Sequence, residues 1–134
     1  MISDRVGDFI VRLTNAGAVK KLSVSVPYSA HLEAVAKKLQ KLGYVGGVSI
    51  ETNEKSPVKR TLVVALVYDE RGVSKIRGVK RISKPGRRLY VSAKEVHSVK
   101  NGVGARIIST PKGILSDREA RKVAAGGEAM FEIW

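Results

Sequence analysis

Eight consecutive residues, Thr61-Leu-Val-Val-Ala-Leu-Val-Tyr68, carry no charge and no turn former. A run of this length fits a strand better than a helix, and its unbroken apolar character predicts burial on both faces. The segments before it supply cover. Val6, Phe9, Ile10 and Leu13 recur at helical spacing and predict a helix over 4–16, with Ser3 or Asp4 as its cap. Ser29 caps a second helix over 30–42, whose apolar face is Leu32, Val35, Ala36, Leu39 and Leu42, and Gly43 ends it. The alternation at 22–26 predicts a half-buried strand closed by Pro27. Residues 44–52 form a further strand, joined to the apolar run by a polar turn, Asn53 to Arg60.

The second half is richer in strands. Residues 74–82 and 88–92 flank the turn Lys84-Pro85-Gly86, 106–110 is a short strand, and 128–134 returns as another. Ser116-Asp-Arg-Glu119 has the spacing of a capping box and opens a short helix to about Ala125, stopped by Gly126-Gly127. The fold class is therefore α+β. The turn Asp69-Glu-Arg-Gly72 divides a helix-rich subdomain, 1–68, from a mostly-β subdomain, 69–134.

Charge narrows the function. There are 25 Lys and Arg against 12 Asp and Glu, a net charge of +13. A folded chain with this excess repels itself and needs an anionic partner. Residues 71–88 hold eight bases and no acid. A solvated face is the ordinary meaning of a charge run, but eight bases without an acid favour a polyanion. The chain has no cysteine, which excludes disulfides, thiolate zinc sites and cysteine nucleophiles. Nothing apolar approaches 18 residues, and the acidic N-terminus is unlike a signal peptide, so the chain reads as cytoplasmic.

Catalytic constellations are weak. His31 and His97 lack companions at ligand spacing. Asp4 and Asp8 lie one helical turn apart, where two acids more often answer the helix dipole than perform acid–base work. Asn101-Gly-Val-Gly104 precedes a strand where a phosphate loop would need a helix, so it reads as a tight turn. The segment that stands out is Ser109-Thr110-Pro111-Lys112-Gly113. Its hydroxyls can bond base edges, 2′-hydroxyls and phosphates, or can satisfy their own turn; composition leaves both readings open. Tyr90, following Arg87 and Arg88, can stack on an unpaired base or serve as a packing residue. Seven aromatics are too few for a multi-base stacking sheet, so a structured RNA helix read by shape fits better.

Four ordered segments carry a resemblance: 81–90 (Arg-Ile-Ser-Lys-Pro-Gly-Arg-Arg-Leu-Tyr), 101–110, 113–121 and Gly126-Gly-Glu-Ala-Met-Phe-Glu-Ile-Trp134. With the N-terminal Ser3-Asp4 and Arg12-Leu-Thr-Asn-Ala16, they resemble the bacterial small-subunit ribosomal protein eight family in order and spacing. The resemblance covers the whole chain. It implies two packed α+β subdomains, primary binding to a helix in the central domain of the small-subunit ribosomal RNA, and a role in assembly. It also implies, in many bacteria, repression of the family's own operon through its messenger RNA, and contacts with the fifth and twelfth proteins of the small subunit.

By position, the family's Ser-Thr-x-x-Gly motif falls on Ser109, Thr110 and Gly113, with Pro111 and Lys112 between them. Its tyrosine falls on Tyr90, beside Lys84, Gly86, Arg87 and Arg88; its Gly-Gly-Glu on Gly126, Gly127 and Glu128, the glutamate helping to fix the recognition surface. Asp4, Arg12 and Asn15 of the first helix are implied to face the RNA backbone more loosely. This chain departs where the family usually has Ser, at Pro111, and where it has Asp-Pro, at Asp4-Arg5.

The expected function is that of a structural ribosomal RNA-binding protein, with no cofactor, metal, small-molecule substrate or membrane partner. A nucleic-acid-modifying enzyme would need a catalytic acid, base or metal cluster, and the sequence offers none. A basic protein-interaction module is the third possibility; its retention from a lysate would survive ribonuclease.

Overall fold

The computed structural model describes residues 4–53, 55–96, 99 and 102–134, without the side chains of 53 and 56–58. Ser3, His97 and Asn101 lie outside the described residues. The chain divides into two compact units: Asp8–Ile76, and residues 4–7 together with Arg77–Trp134.

The helix α1 spans Arg5–Ala18, with Phe9, Ile10, Leu13 and Ala16 buried. Its cap is Asp4, whose carboxylate accepts the Gly7 amide at 3.2 Å. In the Asp8–Ile76 unit, β1 (Ser23–Pro27) leads to α2 (Ala30–Lys41), where the Ser29 hydroxyl accepts the Leu32 amide. Gly43 follows at φ +88°, the left-handed conformation that glycine adopts without penalty beyond a helix end. The strands β2 (Val45–Asn53) and β3 (Ser56–Leu66) complete an antiparallel sheet in the order β1-β3-β2.

Two expectations need correction here. The apolar run is not buried on both faces: Leu62, Val64 and Leu66 are buried, while Thr61, Val63 and Ala65 are half-buried. The register explains it, because Ser25 and Ser49 lie opposite Val63 and make that face polar, whereas Val24 and Val48 lie opposite Val64. One covered and one wetter face is common in an antiparallel sheet. The polar turn is also shorter than 53–60, since Thr52 pairs with Arg60 and Asn53 with Ser56. The exposed Arg60 places its guanidinium 4.1 Å from the Tyr28 ring centroid, a cation–π contact that makes a charged residue suitable in this strand. Asp69–Gly72 is a turn within this unit, closed by the Tyr68–Ser74 bridge.

In the other unit, β4 (Val79–Arg81), β5 (Tyr90–Val91), β6 (Ala105–Thr110), β7 (Gly113–Ser116) and β8 (Gly127–Ile133) form one antiparallel sheet in the order β4-β8-β6-β7, with β5 also on β8. The strands expected at 74–82 and 88–92 are thus much shorter, and they do not pair with each other. Both lie along the same edge of β8, β4 against Phe131–Ile133 and β5 against Gly127–Glu128. A buried cluster of Val96, Ile108 and Ala120, with Val91 and Leu115 against it, lies between the sheet and α3 (Asp117–Lys122).

The Ser116–Glu119 capping box forms with both reciprocal bonds. The helix ends at Lys122, three residues before the expected end. Gly126 and Gly127 are therefore not its terminator; their role is close packing in the sheet.

Candidate RNA-binding face

The strand register assembles the candidate residues. Tyr90 lies opposite Glu128, Glu128 opposite Ser109, and Ser109 opposite Ile114. Opposed residues in a sheet share a face. One row therefore crosses β5, β8, β6 and β7, on the face opposite Ile108 and its buried cluster. Tyr90 stands at one end of the row and is 70% exposed, which favours a contact role over packing.

The row needs glycine beside it. A Cβ on Gly127 would lie 2.0 Å from the Ser109 carbonyl oxygen and 3.0 Å from the Thr110 Cα. A Cβ on Gly126 would lie 2.5 Å from the Val91 carbonyl oxygen. The Gly-Gly pair lets the backbones of β5 and β6 close on the start of β8, and Glu128 follows directly. Glu128 is then held by Arg88 Nη1 at 2.9 Å, in a pair with side chains 52% and 20% exposed.

The hydroxyls of the hairpin divide between the two uses left open by the sequence. Thr110 Oγ1 donates to the Gly113 carbonyl at 2.8 Å and accepts the Lys112 amide at 3.1 Å, so it serves the turn. Gly113, at φ +112°, closes that turn with Pro111 and Lys112 at its tip. Ser109 Oγ has no hydrogen-bond partner among the described residues, and its residue is half-buried on the open face. It is the free hydroxyl of the motif. Lys112 Nζ donates to the Val123 carbonyl at 3.3 Å, beyond the last turn of α3, where a cation suits the helix dipole.

Cations flank the row. Lys84 and Arg87 are exposed and exchange both backbone hydrogen bonds at 2.9 Å across Pro85 and Gly86, while their side chains have no partner among the described residues. Residues 4–7 and 77–134 together carry 14 bases and 6 acids, a net of +8. That field favours a polyanion.

Asp4 belongs to this unit through Arg81, whose guanidinium bonds its carboxylate. That bond depresses the Asp4 pKa most; partial burial opposes it, and the Gly7 amide and the charges of Arg81 and Arg88 add to the depression. A carboxyl depressed on folding stabilises above its unfolded pKa of about 3.9 and loses that contribution as pH falls through the folded value. Asp4→Asn is thus expected to lower the melting temperature at pH 7 and to converge on the parent as pH falls through the depressed folded pKa. A difference that persists unchanged in acid would remove the carboxylate from the account.

Arg12 and Asn15 lie in the Asp8–Ile76 unit. Arg12 pairs with Asp8 at 2.9 Å and reaches the Ser25 carbonyl at 3.4 Å. With Asn15, Lys21, Ser23 and Ser25 it lines a groove of about 350 Å³. The sequence pointed to Arg12 and Asn15 but not to Lys21, Ser23 or Ser25, although the exposed serines of β1 are visible in its alternation.

Among the described residues no group of three His, Cys, Asp or Glu could hold a metal ion, and no helix is long and apolar enough to cross a membrane.

A strongly basic α+β chain with an open row of polar and aromatic side chains beside exposed cations has the make-up of a nucleic-acid-binding protein. The family model described as ribosomal protein S8 matches residues 4–134. The chain is similar to the small ribosomal subunit protein uS8 of Alcanivorax borkumensis, 43% identical over 98% of both chains. It is also similar to those of Persephonella marina and Thermus aquaticus, 41% and 40% identical over 100% of each. The chain belongs to the ribosomal protein S8 family.

Proposed function

We propose that this chain is a structural component of the small ribosomal subunit, and that it binds a helix in the central domain of the small-subunit ribosomal RNA early in assembly. The observation that carries the reading is the Tyr90–Glu128–Ser109 row beside the cations of the Lys84–Arg88 loop. Ser109 offers hydrogen bonds to base edges or 2′-hydroxyls, Tyr90 offers a ring for stacking, and Lys84 and Arg87 neutralise phosphates. Glu128 repels phosphate itself, so its part is to hold Arg88 in place. Pro111 has no N–H to donate, and its fixed φ stiffens the hairpin tip. The Arg12–Asn15 groove adds a backbone contact.

The family's relatives are named as ribosomal proteins, so the role is structural and not enzymatic. Contacts with the fifth and twelfth small-subunit proteins, and repression through the chain's own operon messenger, extend the same reading: an RNA element shaped like the ribosomal helix would fit the same face.

Hydroxyl-radical footprinting of the full chain on small-subunit ribosomal RNA tests the proposal. One protected helix in the central domain is expected. Protection spread evenly over the RNA, or absent at an equimolar ratio, would contradict it.

A further inference from the structure

We propose that Ser83 is a positioning residue for RNA binding: its buried hydroxyl clamps the two ends of the loop that carries Lys84, Arg87 and Arg88, and so aims those cations. The proposal rests on the RNA-binding reading above. Ser83 is 3% exposed, and a buried polar group of this kind needs its hydrogen bonds met.

Here they are met by one residue across the loop. Ser83 Oγ accepts the Leu89 amide at 2.8 Å and donates to the Leu89 carbonyl at 3.3 Å. Both ends of the loop are also fixed to β8. Ile82 and Ser83 donate their amides to the Met130 carbonyl at 3.1 and 3.2 Å, and Ala129 donates to the Leu89 carbonyl at 2.9 Å. The Ser83 carbonyl in turn accepts Arg81 Nε at 2.7 Å.

The geometry gives the clamp a purpose that stability alone does not. A chain running straight along the β8 edge from β4 to β5 would present a ladder and no loop. Residues 84–88 leave that edge and return, and Lys84, Arg87 and Arg88 are exposed there without a single acid among them. Among the described residues, the hydrogen bonds that hold the loop beyond its base are the Lys84–Arg87 turn and the Arg88–Glu128 pair. Its direction is therefore set at the base, where the Ser83 hydroxyl ties the two ends to each other beside their backbone bonds to β8. Tyr90 follows Leu89 directly, so the same clamp fixes where the exposed ring begins.

The test titrates the full chain with a transcript of the central domain of small-subunit ribosomal RNA at several salt concentrations. Ser83→Ala keeps the net charge. It is expected to weaken binding about tenfold, on the scale of lost buried hydrogen bonds. It should also make the log–log salt slope shallower by about 1–2, because misdirected cations release fewer counterions. A role in general stability would leave the slope unchanged, speed exchange at Leu89, Ile107 and Ile108 alike, and cost the same affinity in either background. The Leu89 amide should exchange faster while the Ile107 and Ile108 amides are unchanged. In a Lys84→Ala/Arg87→Ala background, Ser83→Ala should cost little further affinity.

If the parent chain binds without salt dependence, the RNA reading itself fails. If the parent binds as expected and Ser83→Ala matches it in affinity and slope, the Ser83 proposal is overturned. An equal loss in both backgrounds also overturns it. Should Ser83→Ala fail to fold, Ser83→Cys fills the site with a somewhat larger atom that hydrogen-bonds weakly. It must then show the shallower slope, and parental behaviour would overturn the proposal.

Discussion

Gly127→Ala is expected to lower the melting temperature by about 10 °C and to weaken specific RNA binding by at least about tenfold. The new Cβ would lie 2.0 Å from the Ser109 carbonyl oxygen, far inside any real contact. The clash is with backbone, so no side-chain rotation relieves it. The strands β8 and β6 must separate at the residue pair that holds the candidate face. Overpacking of this kind costs about 3 kcal/mol, and in a chain of this size each kcal/mol shifts the midpoint roughly 3–4 °C. Binding falls with it because Ser109 and Thr110 are the residues displaced. Gly86→Ala is the control for stability, since a Cβ there meets nothing within 4 Å and φ is not in the left-handed range. Calorimetry and RNA titration check both. A parental melting temperature for Gly127→Ala would show that the close approach of the two strands is not required.

Removing both hydroxyls, Ser109→Ala with Thr110→Ala, should weaken specific RNA binding by about 1–3 kcal/mol and leave binding to random RNA nearly unchanged. The structure divides that effect. Ser109→Ala removes a hydroxyl without a partner among the described residues, so it should cost affinity and little stability. Thr110→Ala breaks two bonds of the hairpin turn and should lower the melting temperature as well. Titration against specific and random RNA at one salt concentration, with thermal melts of each variant, separates the two. Equal loss on both RNAs would reduce the motif to a turn.

Features set by neighbours in sequence were legible before the structure. The caps Ser29 and Ser116, the stop at Gly43 and the cores of both long helices, apart from Leu42, which is an exposed C-cap, depend on residues three or four positions away. Features set across the sheet were not. The outer face of β3 is polar because Ser25 and Ser49 arrive from other strands. Lys84-Pro85-Gly86 reads locally as a turn flanked by two strands. A turn cannot report that both flanking segments pair instead with β8, more than forty residues on. Gly126-Gly127 after a helix reads as a terminator, although what demands glycine there is the backbone of Val91 and Ser109.

The candidate site divides in the same way. Ser109 and Tyr90 stood out by residue type, Glu128 only through a resemblance, and the register then placed the three in one row. Ser83 lies within a resembling segment, yet its part depends on where Leu89 returns, which no local pattern encodes.

The central claim is that the chain's positive charge is used on RNA, through a face that also reads structure. The most direct test is the salt dependence of binding to a transcript of the ribosomal RNA central domain. If about six phosphates are neutralised, log K falls against log salt with a slope of about −4 to −5. A slope near zero would mean that the net charge of +13 plays no part in binding RNA, and the account would be wrong in its physical core.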